Sequence, residues 1–381
     1  MEDPPMSRTH ADAEVVAGMD AFCREVLAPR AAEIDERGLS ATLHRRQLAE
    51  MGLMGLNLPT ELGGPGVDAW TLFECVALVA AACGSTASMV TAHYLATDSI
   101  LHGGSSEQKA RLLPRAAAGE LLGAFALTEP GAGSNPADMS TMAVRDGDGW
   151  RIKGTKHFIS NAGEADFLVV YAKTDRAAGA RGISAFVVEP AVCGGITIGK
   201  PERTMGVRGG HVFEVVFDCV VPGDGILGRE GSGFRTALKT LDGGRLDIAA
   251  CAIGIAEAAL GAATAWAKER QIGGHPIGEF QGLQWMIADM AVDIGAARGL
   301  ADAATAKRQA GERFSLDASM AKLYASEMAT RVTDTALQIH GGYGYTSDLP
   351  LERYARDVRI FRIFEGSSEV QRNIIARTLL G

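Results

Sequence analysis

The sequence predicts a mainly α chain with one central β region, in the order helices, strands, helical bundle. Apolar residues recur at helical spacing from about residue 11 to 121 and again from about 234 onward. Between about 123 and 233, short β-branched and aromatic runs are bounded by Gly, Asp and Pro, with no helical crossover between them.

In the first region Val15, Met19, Phe22 and Val26 mark one helical face, and the turn-rich PTELGGPG at 59–66 breaks the chain. Alanine-rich helices resume from 69 to 101 and stop at Gly103 and Gly104; another runs from about Glu107 to Gly119. The central region offers strands at 167–171, 183–188, 196–198 and 212–217, which reads as an antiparallel barrel or sandwich. In the last region Leu316, Met320, Leu323, Met328, Val332, Ala336 and Ile339 trace one face over about six turns. Long helices with short connections imply a bundle.

The 381 residues are 47% hydrophobic and 22% charged, an ordinary globular balance with ample length for a core. A net charge of −9 argues against a nucleic-acid binder, which needs a basic footprint. The six cysteines are scattered without a CxxC pair, so buried reduced thiols and a cytoplasmic location are expected, with no metal site. Residues 1–10 are polar and lack the pattern of a secretory leader. No run of about 18 apolar residues occurs, so no membrane span is expected.

Five stretches carry candidate chemistry. In ALTEPGAGSN (126–135) a strand leads into a turn that offers backbone N–H groups and the Thr128 and Ser134 hydroxyls, suited to a polar ring edge or a phosphate. A tight turn at a domain boundary would look the same, and no GxGxxG fingerprint is present. In KHFIS (156–160) a flat ring, Phe158, and a hydroxyl, Ser160, are placed on one face of a strand. LDGGR (241–245) is read as a helix start whose glycines let a ligand approach and whose Arg245 can fix an acyl carrier or a nearby carboxylate; an N-cap at Asp242 followed by a solvated arginine is an equal alternative. In QIHGGYGY (338–345) the double glycine ends a helix just after Gln338 and exposes N–H groups, while His340 reads as structural. In RIFEGSSE (362–369) Glu365 follows apolar residues and precedes a glycine, a setting that desolvates a carboxylate and raises its basicity; a helix-capping acid is the plain alternative.

Taken together, TEPGAGS, KTLDGGR, QIHGGYGY and FEGSSEVQR follow the order and spacing of the acyl-CoA dehydrogenase family, and the chain most resembles its short-chain branch over its whole length. The resemblance implies an α-helical N-terminal domain (1–122), a middle β-barrel domain (123–233) and a C-terminal four-helix bundle (234–381). FAD would lie near a subunit boundary of a homotetramer. Phe125, Leu127, Thr128, Gly133 and Ser134 would wrap the flavin, with Phe158 over the ring and Ser160 donating towards N5. Arg270, Gln281, Gln338, Gly341 and Gly342 would reach the pyrophosphate and adenine end from a neighbouring subunit, and Ser367 and Glu369 would complete the site. Asp242, Arg245, Ser134 and Gly366 would touch the thioester, with Ser88, Thr91 and Tyr94 along the acyl wall.

Glu365 would take the α-proton while the β-hydrogen leaves as hydride to the flavin, giving a trans-2-enoyl thioester on coenzyme A or an acyl-carrier protein. Electrons would pass on to an electron-transfer flavoprotein. The resemblance also admits an oxidase or a flavin monooxygenase on the same fold, and a silent binding module would have lost the base or the flavin loop. One branch carries its base where this chain has Gly244, which favours Glu365 here. Asn135, Phe158, Phe364 and Gly273 depart from the usual Asp, Trp, Tyr and Phe.

Overall fold

A computed structural model describes residues 10–381; the polar stretch before His10, expected to carry no leader, lies outside the described residues. Six helices come first: α1 (Ala13–Phe22), α2 (Ala28–Arg37), α3 (Arg45–Glu50), α4 (Ala69–Ala82), α5 (Gly84–Gly103) and α6 (Ser106–Ala117). Their ends follow local chemistry. Asp12 caps α1, Asp68 caps α4, and Ser105 with Gln108 forms a reciprocal capping box on α6.

The strands follow: β1 (Gly123–Ala126), β2 (Met142–Asp146), β3 (Gly149–Ser160), β4 (Phe167–Lys173), β5 (Ile183–Val188), β6 (Ile196–Ile198) and β7 (Val212–Val221). All four expected strands form, with β7 running four residues further than expected. The expected closed barrel does not. The strands run β1-β4-β2-β3-β7-β6, with β5 also on β4, in one open, curled sheet. Its two halves meet at a single register pair, Met142 with Lys173, because β5 fills one edge of β4 while β1 and β2 share the other. The sheet is also mixed, since β1 and β2 both pair with β4 in parallel.

The last region is α7 (Gly233–Glu269), a short hairpin of β8 (Gln271–Ile272) and β9 (His275–Pro276), α8 (Gln281–Gln309), α9 (Ser315–His340), α10 (Gly342–Tyr345), α11 (Leu351–Asp357) and α12 (Ser368–Leu380). One apolar core joins α4 to this bundle, with Leu72, Val76, Ile253, Ile255, Met328 and Val332 all buried in it. The α9 stripe is buried along Met328, Val332, Ala336 and Ile339, while Met320 stays exposed. By length and composition α7 could cross a membrane, but most of its apolar stretch is covered by the core. All six cysteines are buried. Arg298 on α8 ties the layers together, pairing with Glu74 of α4 and Glu257 of α7.

Candidate active site

The loop after β1, the end of β3, helices α5 and α7 and the turn before α12 enclose a cavity of about 310 Å³. Ten of the expected site residues line it: Phe125, Leu127, Thr128, Gly133, Ser134, Phe158, Ser160, Arg245, Glu365 and Gly366. Ser88 and Thr91 of α5 are also in the wall. Tyr94 is not, because its hydroxyl donates to the Leu53 carbonyl on the far side of the helix.

The glycine-rich loop is shaped by a buried ion pair. Lys156 Nζ reaches Glu129 Oε1 at 2.9 Å and the Leu127 carbonyl at 2.9 Å, and its side chain is fully buried. Glu129 further accepts from Ser140 N, Ser140 Oγ and Thr141 N. Burial alone would raise the Glu129 carboxyl, but Lys156 and these donors hold it down to about 2. The stability this contributes is present above pH 4.5 and is lost as pH falls toward 2. Lys156→Met strands the carboxylate, so a loss of about 3–5 kcal/mol is expected, read as a lower Tm in calorimetry; an unchanged Tm contradicts it. In the same loop, Asn135 donates to Asp138 at 2.7 Å, where an aspartate would set two carboxylates against each other.

Phe158 and Ser160 do not share the plain strand face expected of them. A bulge shifts the β3–β7 register between Lys156 and Ile159, and Phe158 takes a left-handed φ of 57°. Its ring is 60% exposed and stacks on His157, whose Nε2 meets Glu202 at 2.9 Å. Only four described non-glycine residues have positive φ, and two of them, Phe158 and Glu365, line this one cavity. A left-handed conformation costs each of them about 1–3 kcal/mol. Strain placed twice in one pocket makes it the candidate functional site.

Glu365 (φ 52°) and Gly366 (φ 91°) form a left-handed turn ahead of α12, whose N-cap is Ser367. Glu365 Oε2 is shielded from solvent and has no hydrogen-bond partner. Burial pushes its carboxyl up to about 8; Asp247's charge adds to the rise, and Lys322 and Arg245 oppose it. The motif at 241–245 lies well inside α7, so Asp242 is not an N-cap; it pairs with Arg245 Nη1 at 2.5 Å and accepts from Ser315. Arg245 is buried, with its Nε unpartnered at the cavity. The space around Gly244 explains a glycine at that position. A Cβ there would overlap Glu365 Oε2 and sit 2.7 Å from Leu95 Cδ2, so the helix cedes this space to the carboxylate.

Arg270, Gly341 and Gly342 lie elsewhere, in a second pocket of about 440 Å³ with Trp266, His340 and Tyr343. The Arg270 guanidinium sits 5.9 Å from the Trp266 ring centre and 5.5 Å from that of Tyr343. His340 is structural as read, with its ring stacked on Trp266. Gln281 and Gln338 are exposed and outside the lining of either pocket; Ser367, Glu369 and Asp242 also stand back from the first. Gly273 and Gly274 form the tip of the β8–β9 hairpin with φ of 62° and 87°, the pattern of a type I′ turn, which accounts for glycine at 273.

Sequence reasoning missed the apolar wall from Leu238, Leu241, Val370 and Ile374, the Lys156–Glu129 brace, and Lys322 beneath the Glu365 turn. For Lys156 and Lys322 the available signal was a lysine at an apolar-patterned position.

The exposed planar ring at Phe158, the paired Thr128 and Ser160 hydroxyls and the open glycine loop fit a flat heteroaromatic cofactor beside an unsatisfied base. Three family models cover nearly all of the chain: the acyl-CoA dehydrogenase N-terminal domain (residues 9–120), middle domain (124–220) and C-terminal domain (231–380). The chain is 44% identical over 357 residues to the short-chain-specific acyl-CoA dehydrogenase of Clostridium acetobutylicum, covering 93% of this chain and 94% of that one. It is similar to the solved butyryl-CoA dehydrogenase of Megasphaera elsdenii, at 38% identity, a TM-score of 0.94 and 97% coverage of both chains. It also resembles the solved structure of PigA with FAD and proline, at 28% identity, a TM-score of 0.92 and 96% coverage of both. The chain belongs to the acyl-CoA dehydrogenase family, and FAD is its cofactor.

Proposed function

We propose that this chain dehydrogenates short- or branched-chain acyl thioesters across the α,β-bond, with Glu365 as the base. The observation that carries this reading is the unsatisfied Glu365 carboxylate, held in a strained turn between the glycine-rich loop and an apolar wall. FAD, when bound, supplies the acceptor for the β-hydrogen. Thr128, Ser134 and Ser160 would hold the ring edge by hydrogen bonds, and Phe158 would cover its face. Leu95, Leu238 and Leu241 exclude water from the acyl group, with Ser88 and Thr91 as the polar exceptions in that wall. Arg245 would hold the thioester region against Glu365, with Gly366 and Asp242 close by. The carrier would be coenzyme A or an acyl-carrier protein, and the electrons would leave to an electron-transfer flavoprotein.

The second pocket supports a homo-oligomer, a tetramer in this reading. Arg245 and Arg270 are carried by one continuous helix and its cap, so their spacing is about 38 Å by helical rise. One dinucleotide does not bridge that distance. Arg270, Gly341 and Gly342, with Gln281 and Gln338 nearby, would therefore serve the cofactor of a neighbouring copy, while Ser367 and Glu369 finish the chain's own site. The six buried cysteines suit a reducing, cytoplasmic setting.

The test is anaerobic titration of the flavin-loaded protein with a panel of acyl-CoA thioesters and acyl-carrier proteins. Short or branched thioesters are expected to bleach the flavin. Below about pH 8 the Glu365 carboxyl is protonated and cannot accept a proton, so kcat/KM should rise with pH through that value. Failure of every thioester to bleach bound flavin would end this reading.

A further inference from the structure

Lys322 of α9 has a fully buried side chain, an expensive position for an ammonium group. Its Nζ is satisfied by two main-chain carbonyls, Phe364 O at 3.0 Å and Gly366 O at 2.7 Å. Gln371 of α12 is also buried, and its Nε2 donates to Glu365 O at 3.1 Å and Gly366 O at 2.8 Å. Three successive carbonyls, those of residues 364, 365 and 366, are thus drawn to two side chains on the side of α9 and α12. All peptide bonds here are trans, so each N–H points opposite to the carbonyl of its own peptide plane. The N–H groups of Glu365 and Gly366 consequently face away from the two donors.

A left-handed glutamate is unfavourable by about 1–3 kcal/mol, and these four hydrogen bonds offset that cost in the turn. A neutral donor at position 322 could satisfy the carbonyls, yet the chain places a lysine there: burial pulls its ammonium down to about 8, and below that pH its charge opposes the upward shift of the Glu365 carboxyl.

We propose that Lys322 and Gln371 are positioning residues for the catalytic turn: they hold residues 364–366 so that the Glu365 carboxylate and the adjacent N–H groups are presented to the bound thioester. The proposal rests on the reading of Glu365 as the base. The groups that act on Glu365 are Arg245 and Asp247 from α7 and Lys322 from α9, with the Cys251 thiol of α7 also within reach of its charge; Lys322 in turn faces Glu327 of α9 and Glu369 of α12. Removing the Lys322 charge leaves Arg245 as the cation that offsets Asp247, so Glu365 should deprotonate at higher pH. Removing Gln371 loosens the turn without changing charge.

The experiment uses full-length, flavin-loaded Lys322→Met, Lys322→Arg and Gln371→Met with butyryl-CoA in D2O under anaerobic conditions. Mass spectrometry follows replacement of the α-hydrogens by deuterium: the α C–H bond breaks, the proton goes to the base, and a deuteron returns from solvent-exchanged carboxyl. FAD content and butyryl-CoA affinity are measured alongside.

Lys322→Met is expected to keep both affinities while exchange slows ~100-fold, as for a misplaced catalytic group. Its rate-against-pH limb should move upward by about one unit, and Lys322→Arg should recover most of the rate and the limb. Exchange at the wild-type rate with an unmoved limb overturns the proposal. Should Lys322→Met fail to hold flavin, Gln371→Met decides: slowed exchange with the limb in place supports the proposal, and unchanged exchange overturns it. A wild-type protein that exchanges no α-hydrogen, or a Glu365→Gln variant that exchanges as fast as wild type, refutes the assignment of the base instead.

Discussion

Glu365→Gln is expected to bind FAD and thioester normally while substrate-driven flavin reduction falls by a factor between about 10² and 10⁴, the usual contribution of a positioned general base. The amide fills the same space and removes a group whose ionised form is disfavoured by burial. Fold and flavin loop have no reason to change, because the carboxylate makes no hydrogen bond through Oε2. Stopped-flow reduction with butyryl-CoA measures the loss. Reduction at the wild-type rate would move the base to another residue.

Gly244→Ala should be nearly as damaging to the reaction and far milder to the fold. The new methyl group overlaps Glu365 Oε2 and crowds Leu95 Cδ2, both ends of side chains that can move. The helix itself gains, since alanine is better than glycine inside a helix by about 0.8–1 kcal/mol. The carboxylate has to leave its position, and displacement by about 1 Å can cost 10²-fold in rate. The expected result is a Tm equal to or above wild type with reduction slowed ~100-fold. Slow reduction accompanied by a large fall in Tm would mean the helix, and not the carboxylate, gives way. The same overlap means that in this chain a side chain at position 244 and the Glu365 carboxylate compete for one space.

Much of this was legible in the sequence because the signals were local. Turn residues, β-branched runs and helical stripes placed the strands at 167–171, 183–188, 196–198 and 212–217 and the helix ends near Gly103 and Gly341. Sheet closure was not legible, because whether β6 finds a second partner depends on curvature and on the single Met142–Lys173 junction, which leave no local pattern. Asp242 was misplaced for a related reason. Asp-Gly-Gly looks like a helix start, yet Gly244 serves close approach inside α7, and the evidence for that lies 121 residues away in Glu365. The bulge at Phe158 was equally invisible, since it is defined by what the backbone does in three dimensions, and the lysines beneath the two loops left only the trace of a basic residue in an apolar pattern, with no sign of the carbonyls they hold.

The length of α7 has a consequence of its own. With 3.6 residues per turn, each residue added or removed between Arg245 and Arg270 swings everything beyond it by about 100° and shifts it by about 1.5 Å. Substitutions along that stretch alter packing locally, whereas insertions and deletions would put the two pockets out of phase. The helix works as a ruler counted in residues, and any redesign of this chain has to conserve its tally even where it changes the letters.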